Sequence, residues 1–575
     1  VITDRSDYDV VVLGGGLAGL SVARQMLLRR PETTVLVVER VPHPVRAAAH
    51  KVGESTVVIS GTYFAETLQL REHLEQAQIR KTGLRFLPSV SVPPPPLSQR
   101  AESGPSGFFY ASATFQLDRG VFENALGEIV AAGGAEFRHG YRVVDVRLKS
   151  GAPHEVVIAR AGAGQTVRAR WVIDATGRRG LLKSKLGLRK DSPHNCDAVW
   201  FRLSEMIWMD ELAEEEVGTS AAAKSAWRER VPEGLRWRST NHLMGKGYWV
   251  WLIPLVSGSI SVGIVSDPRY VPFEEIGTFE AALDWLTRHE PEVARAVTRH
   301  QESLQDFKRL RHFAHSCAQV YSGDRWALTG EAGVFNDPLY SPGSDFIAMS
   351  NTLVTDMVVR DLGGAAIDDL AARLNDFYLE VYDTLLPVWT DQYRLMGNPQ
   401  VWFAKLIFDR YLHHAFLGLL IRSNTTDAYA PAVIGAELAG FRLLNERMQA
   451  FFREWDEREP GRDHCHFFDH TGTPALKSSF GTSGDHGPLG SAEIRRRLGA
   501  NRRVLEAMMQ VIMARAATRI GYPTAACDID PRTFTLGDLP LAGKRANRDQ
   551  DALIEFISEL LQDNWLPVSP VEVAG

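Results

Sequence analysis

The stretch YDVVVLGGGLAGLSVARQMLLRR, residues 8–30, constrains the fold of this chain more than any other. An apolar run of strand length leads into Gly14, Gly16 and Gly19, and these lead into an amphipathic pattern of helical period. TTVLVVER, residues 33–40, then reads as a second buried strand ending at Glu39. This is G-x-G-x-x-G between a strand and a helix, with an acid 20 residues past the last glycine. Gly14 permits the tight turn, Gly16 lets the backbone approach a pyrophosphate, and Gly19 lets the helix pack close to the strand. The helix N-terminus faces the phosphates, and Glu39 accepts hydrogen bonds from an adenosine ribose. The expectation is a Rossmann-type dinucleotide site; the bland alternative is a structural glycine turn.

Two later segments decide which dinucleotide. RARWVIDATGRRG (168–180) is a buried strand ending in Asp174-Ala175-Thr176-Gly177. RWALTGEAGVFNDPLYSPGSDFIAMSN (325–351) is another strand, followed by Gly330-Glu331-Ala332 and Asp337-Pro338. No second nucleotide fingerprint accompanies them, because RAGAGQTV (160–167) lacks a following helix. The two segments resemble the second and third FAD motifs of the aromatic-hydroxylase class of flavoproteins. FQLDRGVFENAL (115–126) adds the Asp-Arg and helix, here Arg119, that this class shows. The resemblance implies FAD, with Glu331 in place of the usual Asp on the ribityl chain.

HKVGEST (50–56), QIRKTGLRF (78–86) and WVWLIP (249–254) further resemble the flavin-dependent halogenases. Trp249, Trp251, Ile253 and Pro254 match that family's W-x-W-x-I-P signature, and Lys81, five residues before Phe86, matches its lysine. The resemblance covers roughly residues 8–360. It implies that reduced FAD and oxygen give a C4a-hydroperoxide that a halide attacks. Hypohalous acid then reaches Lys81, which donates a hydrogen bond to it or becomes a haloamine, and an electron-rich aromatic or activated carbon is halogenated in secondary metabolism. The paired tryptophans, side by side by strand alternation, would keep the substrate from the flavin; otherwise they are core. Tyr340, Ser341, Pro342, Gly343 and Ser344 occupy the halide and substrate side, after Pro338. The indole-specific branch has Glu at the position of Tyr340, so the match fits phenol- and carrier-bound-substrate branches. Pro342 has no N–H, so one donor is missing from the expected chloride or bromide nest, and Asp345 adds a negative charge. A hydroxylase or oxidase on the same scaffold is the rival reading, and a non-catalytic flavin-binding scaffold the second.

The 575 residues carry a net charge of −6 and no basic tail, which argues against nucleic acid. No run approaches the roughly 18 apolar residues of a membrane span. No basic-then-apolar leader precedes the first strand, and Cys196, Cys317, Cys465 and Cys527 make no paired metal pattern, so a cytoplasmic enzyme is expected. DHCHFFDH (463–470), with His464, Cys465, His466 and His470, reads as a polar loop. The proline-rich segment 88–107 reads as a surface connection, or else as a substrate lid. The expected architecture is α/β. Residues 1–190 and 321–360 form a Rossmann-type FAD-binding domain, with the 88–110 loop towards the substrate side. Residues 191–320 insert an antiparallel substrate-covering sheet, and 361–575 are a helical region. A small-molecule or carrier-protein-bound substrate is implied, and a separate flavin reductase, since no nicotinamide site is evident.

Overall fold

The computed structural model describes residues 5–48, 51–108, 114–216, 218–423, 429, 431–459, 461–472, 489–522 and 524–536. His50 of the expected Gly-Glu turn segment, part of the 88–110 loop and the end of the helical region beyond 536 lie outside them.

The first sheet runs Tyr321–Ser322, Trp326–Leu328, Ala163–Asp174, Asp7–Leu13, Val35–Glu39, Glu136–His139 in spatial order. Its strands are parallel from Trp326–Leu328 to Glu136–His139. Parallel strands covered on both faces read as unbroken apolar runs, and Val10 to Leu13 are all fully buried. Leu13 pairs with Asp174 and Val38, and Asp174 pairs with Leu328. The glycine turn, Glu39, the Asp174 loop and the Gly330 turn therefore leave the sheet at one edge, where open α/β sheets bind ligands. RAGAGQTV, which lacks a helix, is the turn of an antiparallel hairpin between His154–Arg160 and Ala163–Asp174.

The second sheet is ordered Leu304–Leu310, Asp197–Leu203, Ile260–Ser266, Tyr248–Pro254, Thr240–Gly245, Leu84–Pro88, Glu102–Ser103, Phe467–Phe468. It extends beyond the expected 191–320. Leu84–Pro88 joins in parallel beside Thr240–Gly245, and Phe467–Phe468 pairs in parallel with Glu102–Ser103. The sheet is thus antiparallel with two parallel pairings, and part of DHCHFFDH is an edge strand rather than a loop. Within that segment His470 Nδ1 lies 2.7 Å from Ser103 Oγ. Sequence spacing could not show this, because the partners are over 360 residues apart. The segment 88–107 is pinned by Arg100, fully buried and 2.7 Å from Glu290. None of its residues lines either of the cavities described below.

Strand alternation sorts Tyr248–Pro254 into two faces. Tyr248, Val250 and Leu252 belong to an apolar cluster with Trp227 and Trp285, whereas Trp249, Trp251 and Ile253 belong to the cluster shared with the nucleotide domain. Trp251 has room because Gly263 stands opposite it; a Cβ there would lie 2.2 Å from the indole. Gly263→Val should therefore displace Trp251 and cost about 1–3 kcal/mol of stability. Thermal melting and tryptophan fluorescence check this; wild-type values for both would contradict it.

Beyond 360 the expected helices are present as Asp368–Leu385, Pro399–Leu412, Pro431–Arg458 and Ser491–Arg519. A π-helical turn at His413–Gly418 separates Pro399–Leu412 from Leu419–Ser423. Such turns often accompany functional sites. No helix among the described residues is long and apolar enough to cross a membrane.

Candidate functional site

One elongated cavity of about 520 Å³ begins at the glycine turn and ends at the paired tryptophans, within the range of small-molecule sites. Gly14 has φ +108°, and a Cβ on it would meet the Ala175 carbonyl oxygen at 2.4 Å. A Cβ on Gly19 would lie 1.9 Å from the Gly14 oxygen, so this glycine seats the helix beneath the turn. A Cβ on Gly16 would meet nothing within 4 Å, because that position opens onto the cavity. Glu39, also in the wall, accepts from Gly15 N–H and Val41 N–H, each at 2.8 Å, which fixes the carboxylate beside the turn. A backbone cradle with open space and a fixed acid fits an adenosine diphosphate moiety.

Arg119 lines the middle of the cavity and is paired with Glu123; Asp118 caps their helix by accepting from Gly120 and Val121 N–H. Asp174 lies under the wall rather than in it. Its oxygens accept from Thr176 N–H, Thr176 Oγ1 and Leu182 N–H, and so hold the Ala175–Gly177 loop that does line the cavity. Gly330, Glu331 and Pro338 line the far wall. Burial pushes the Glu331 carboxyl up, against the pull of Arg178. Beyond them the helix Gly343–Leu362 starts at Pro342, and its first hydrogen bonds are those of Asp345 and Phe346 N–H to the Pro342 carbonyl. Gly343 and Ser344, preceding those donors, line the cavity, as does Ser341.

Trp249 and Trp251 close this end, their ring centroids 5.7 Å apart and tilted by 45°. Trp251 Nε1 donates to Ser261 Oγ at 3.1 Å. Trp249 Nε1 donates to the Tyr393 hydroxyl at 2.9 Å, and that hydroxyl donates to Asp337 at 2.7 Å. His194 meets the same carboxylate oxygen at 2.5 Å. Among the described residues, His194, Cys196 and Asp337 are the one set of candidate metal ligands within 4.8 Å of one another. Cysteine spacing could not reveal this set, because Asp337 stands 143 positions from His194.

Lys81 is not in this cavity. It lines a second one, of about 90 Å³, with Tyr340, Pro342, Asp409, Arg410 and His413. The 340–342 turn is the partition: Ser341 faces one cavity and its two neighbours the other. Tyr340 and Ser341 hold φ of +70° and +58°, a left-handed backbone that non-glycine residues seldom adopt. A hydroxyl chain crosses the partition. Lys81 Nζ donates to Ser55 Oγ at 2.7 Å and to the Thr56 carbonyl at 2.6 Å, and Ser341 Oγ donates to Ser55 Oγ at 3.0 Å. Burial drives the Lys81 ammonium down to about 7, with Asp345 opposing and Arg410 adding to the shift. Asp345 itself is held by Ser60 N–H at 2.9 Å and His413 at 2.7 Å. Tyr340 donates to Asp409 at 3.1 Å and stacks on Trp402. Sequence reasoning missed Ser55, Thr240 and His242, which line the larger cavity; Thr240 and His242 pair with Leu84 and Phe86, and Ser55 Oγ lies 2.9 Å from Thr240 Oγ1. Ser55 adjoins the quoted Gly-Glu pair, the one local signal available.

A parallel sheet, a glycine cradle and a single long cavity reaching the third FAD motif define a Rossmann-type flavoprotein. The chain is 26% identical over 454 residues to the flavin-dependent halogenase chlA of Dictyostelium discoideum, covering 71% of this chain and 70% of that one. It is 26% identical over 356 residues to the 1H-pyrrole-2-carbonyl-(peptidyl-carrier protein) chlorinase of Pseudomonas fluorescens, covering 59% and 72%. The crystal structure of halogenase PltM shares the fold, with a TM-score of 0.61 at 18% identity over 85% of this chain and 99% of that one. No protein-family model matches the chain. The chain is thus similar to flavin-dependent halogenases over 71% of its length, and FAD is the cofactor that the similarity and the cradle support.

Proposed function

We propose that this chain halogenates an electron-rich aromatic or activated carbon in secondary metabolism, with Lys81 delivering the halogen. The observation that carries the reading is the separation of Lys81 from the flavin cavity by a thin turn, bridged by Ser341 and Ser55. Gly14, Gly16 and Glu39 would hold the adenosine end of FAD, Arg119 and Glu331 its middle, and the Gly343 helix would face the flavin. Bound and reduced FAD supplies, with oxygen, the two-electron oxidant for chloride or bromide. Trp249 and Trp251 exclude an organic substrate and water from that oxidation. The hypohalous acid so released passes to the second cavity. There a neutral Lys81 amine attacks its halogen, forming an N–halogen bond and releasing water. The substrate carbon then takes the halogen from nitrogen, and its displaced proton restores the amine. A separate flavin reductase would supply reduced FAD, since one nucleotide fingerprint serves FAD alone. The substrate arrives as a small molecule or on a carrier protein.

Pro342 favours a second reading, hydroxylation or oxidation without halide, because position 342 offers no N–H. Chloride and bromide titrations read out by product mass separate the two. Wild type should incorporate halogen; a product mass indifferent to either halide overturns the reading. Pro342 sits at φ −72°, which serine adopts freely. Pro342→Ser, restoring a donor to an anion, should lower the chloride needed for half-maximal incorporation by roughly tenfold. Equal values would remove position 342 from the halide site.

A further inference from the structure

We propose that the second cavity binds a free, single-ring aromatic acid, with Arg410 anchoring its carboxylate. This rests on the reading of Lys81 as the halogen-delivering group, since both side chains line the same space. Arg410 lies near the end of the helix Pro399–Leu412, and its Nε is buried without a hydrogen-bond partner. Among the described residues no carboxylate forms an ion pair with it. The acids around it are already engaged. Asp469, its main opposing charge, accepts from Ser106 N–H at 2.9 Å and Thr471 N–H at 2.9 Å, and from both of their hydroxyls. Asp409 is held by Lys405 at 2.7 Å, by Gln449 at 2.8 Å and by Tyr340. Asp345 is held by His413 and Ser60.

Arg410 is half-buried with its Nε unpartnered and its nearby acids engaged elsewhere, a costly placement for a cation that an anionic ligand offsets. The guanidinium fork matches a carboxylate in two parallel hydrogen bonds. Beside Thr82, Thr114, His414 and Thr471, the rest of the wall is apolar or aromatic, with Val57, Val58, Leu84, Val388, Trp389 and Leu417, which suits a ring. At about 90 Å³ the space is smaller than the roughly 150 Å³ cavity that takes up benzene, so it excludes a fused system and admits a single ring only as its wall side chains move outward. A carrier-bound thioester lacks the negative charge and would leave Arg410 unpaired, so the acid arrives free.

The test uses the full-length, FAD-loaded protein titrated calorimetrically with 4-hydroxybenzoate, 4-hydroxybenzamide and the S-ethyl thioester of 4-hydroxybenzoic acid. Wild type should bind the acid at least tenfold more tightly than either neutral analogue. Arg410→Gln should erase that preference, and Arg410→Lys should keep part of it. Equal binding of acid and amide by wild type overturns the proposal without any variant having to fold. So does tighter binding of the thioester, or an acid preference that survives in folded Arg410→Gln. The underlying reading fails separately. Acid preference with no halogen incorporated in chloride or bromide retires the halogenase role and leaves the acid subsite, whereas halogenation of neutral phenols without acid preference does the reverse.

Discussion

Lys81→Ala should reduce halogenated product by roughly 10³-fold, the scale expected for a positioned nucleophile or proton-transfer group. FAD content and oxygen consumption by the reduced enzyme should persist, because Lys81 lies across the 340–342 turn from the flavin cavity. Two of its hydrogen atoms are committed to Ser55 and Thr56. A neutral amine then keeps its lone pair for the halogen. Because burial sets this group near 7, wild-type product formation should rise as pH increases through about 7, as the ammonium loses its proton. A profile falling across the same range would assign Lys81 the part of a charged hydrogen-bond donor instead. Near-wild-type product from Lys81→Ala would make the lysine a bystander, and loss of oxygen consumption as well would make its part structural.

Gly16→Val should yield a folded, colourless protein. The Cβ of the new residue would meet nothing of the protein within 4 Å and its methyls would project into the cavity that Gly16 lines, so the melting temperature should match that of wild-type apoprotein. It would instead fill the space through which the pyrophosphate approaches the backbone. Absorbance near 450 nm after purification in excess FAD measures the effect; a normal yellow holoprotein would place the cofactor elsewhere. Gly19→Ala should fail differently, by losing the fold, since its methyl would lie 1.9 Å from the Gly14 oxygen. Two glycines of one motif thus separate cofactor access from helix seating.

The nucleotide half of the site was legible because its demands are local. A tight turn at Gly14, open backbone at Gly16 and an acid at the next strand's end fall within 26 residues, and each follows from backbone geometry. The same holds for the Trp249–Trp251 pair, whose common face follows from strand alternation. Arg119 and the Asp174 loop were found by motif order, although only the structure shows Asp174 working from beneath the wall. The extra strands Leu84–Pro88 and Phe467–Phe468 were not legible, since their partners lie far along the chain.

Sequence alone determined the fold class and the cofactor cradle, because short-range periodicity and glycine geometry dictate them, whereas Lys81, Ser341 and the paired tryptophans were singled out by the halogenase resemblance. Tertiary structure decided that Ser341 lines the larger cavity while Tyr340 and Pro342 line the one with Lys81, that Tyr393 and Asp337 hold Trp249, and that no described carboxylate forms an ion pair with Arg410. These depend on which distant elements pack together. The sheet's cross-strand partners and the helical region's packing bring in groups hundreds of residues apart, and burial then sets their charge, a quantity that no local stretch of chain contains.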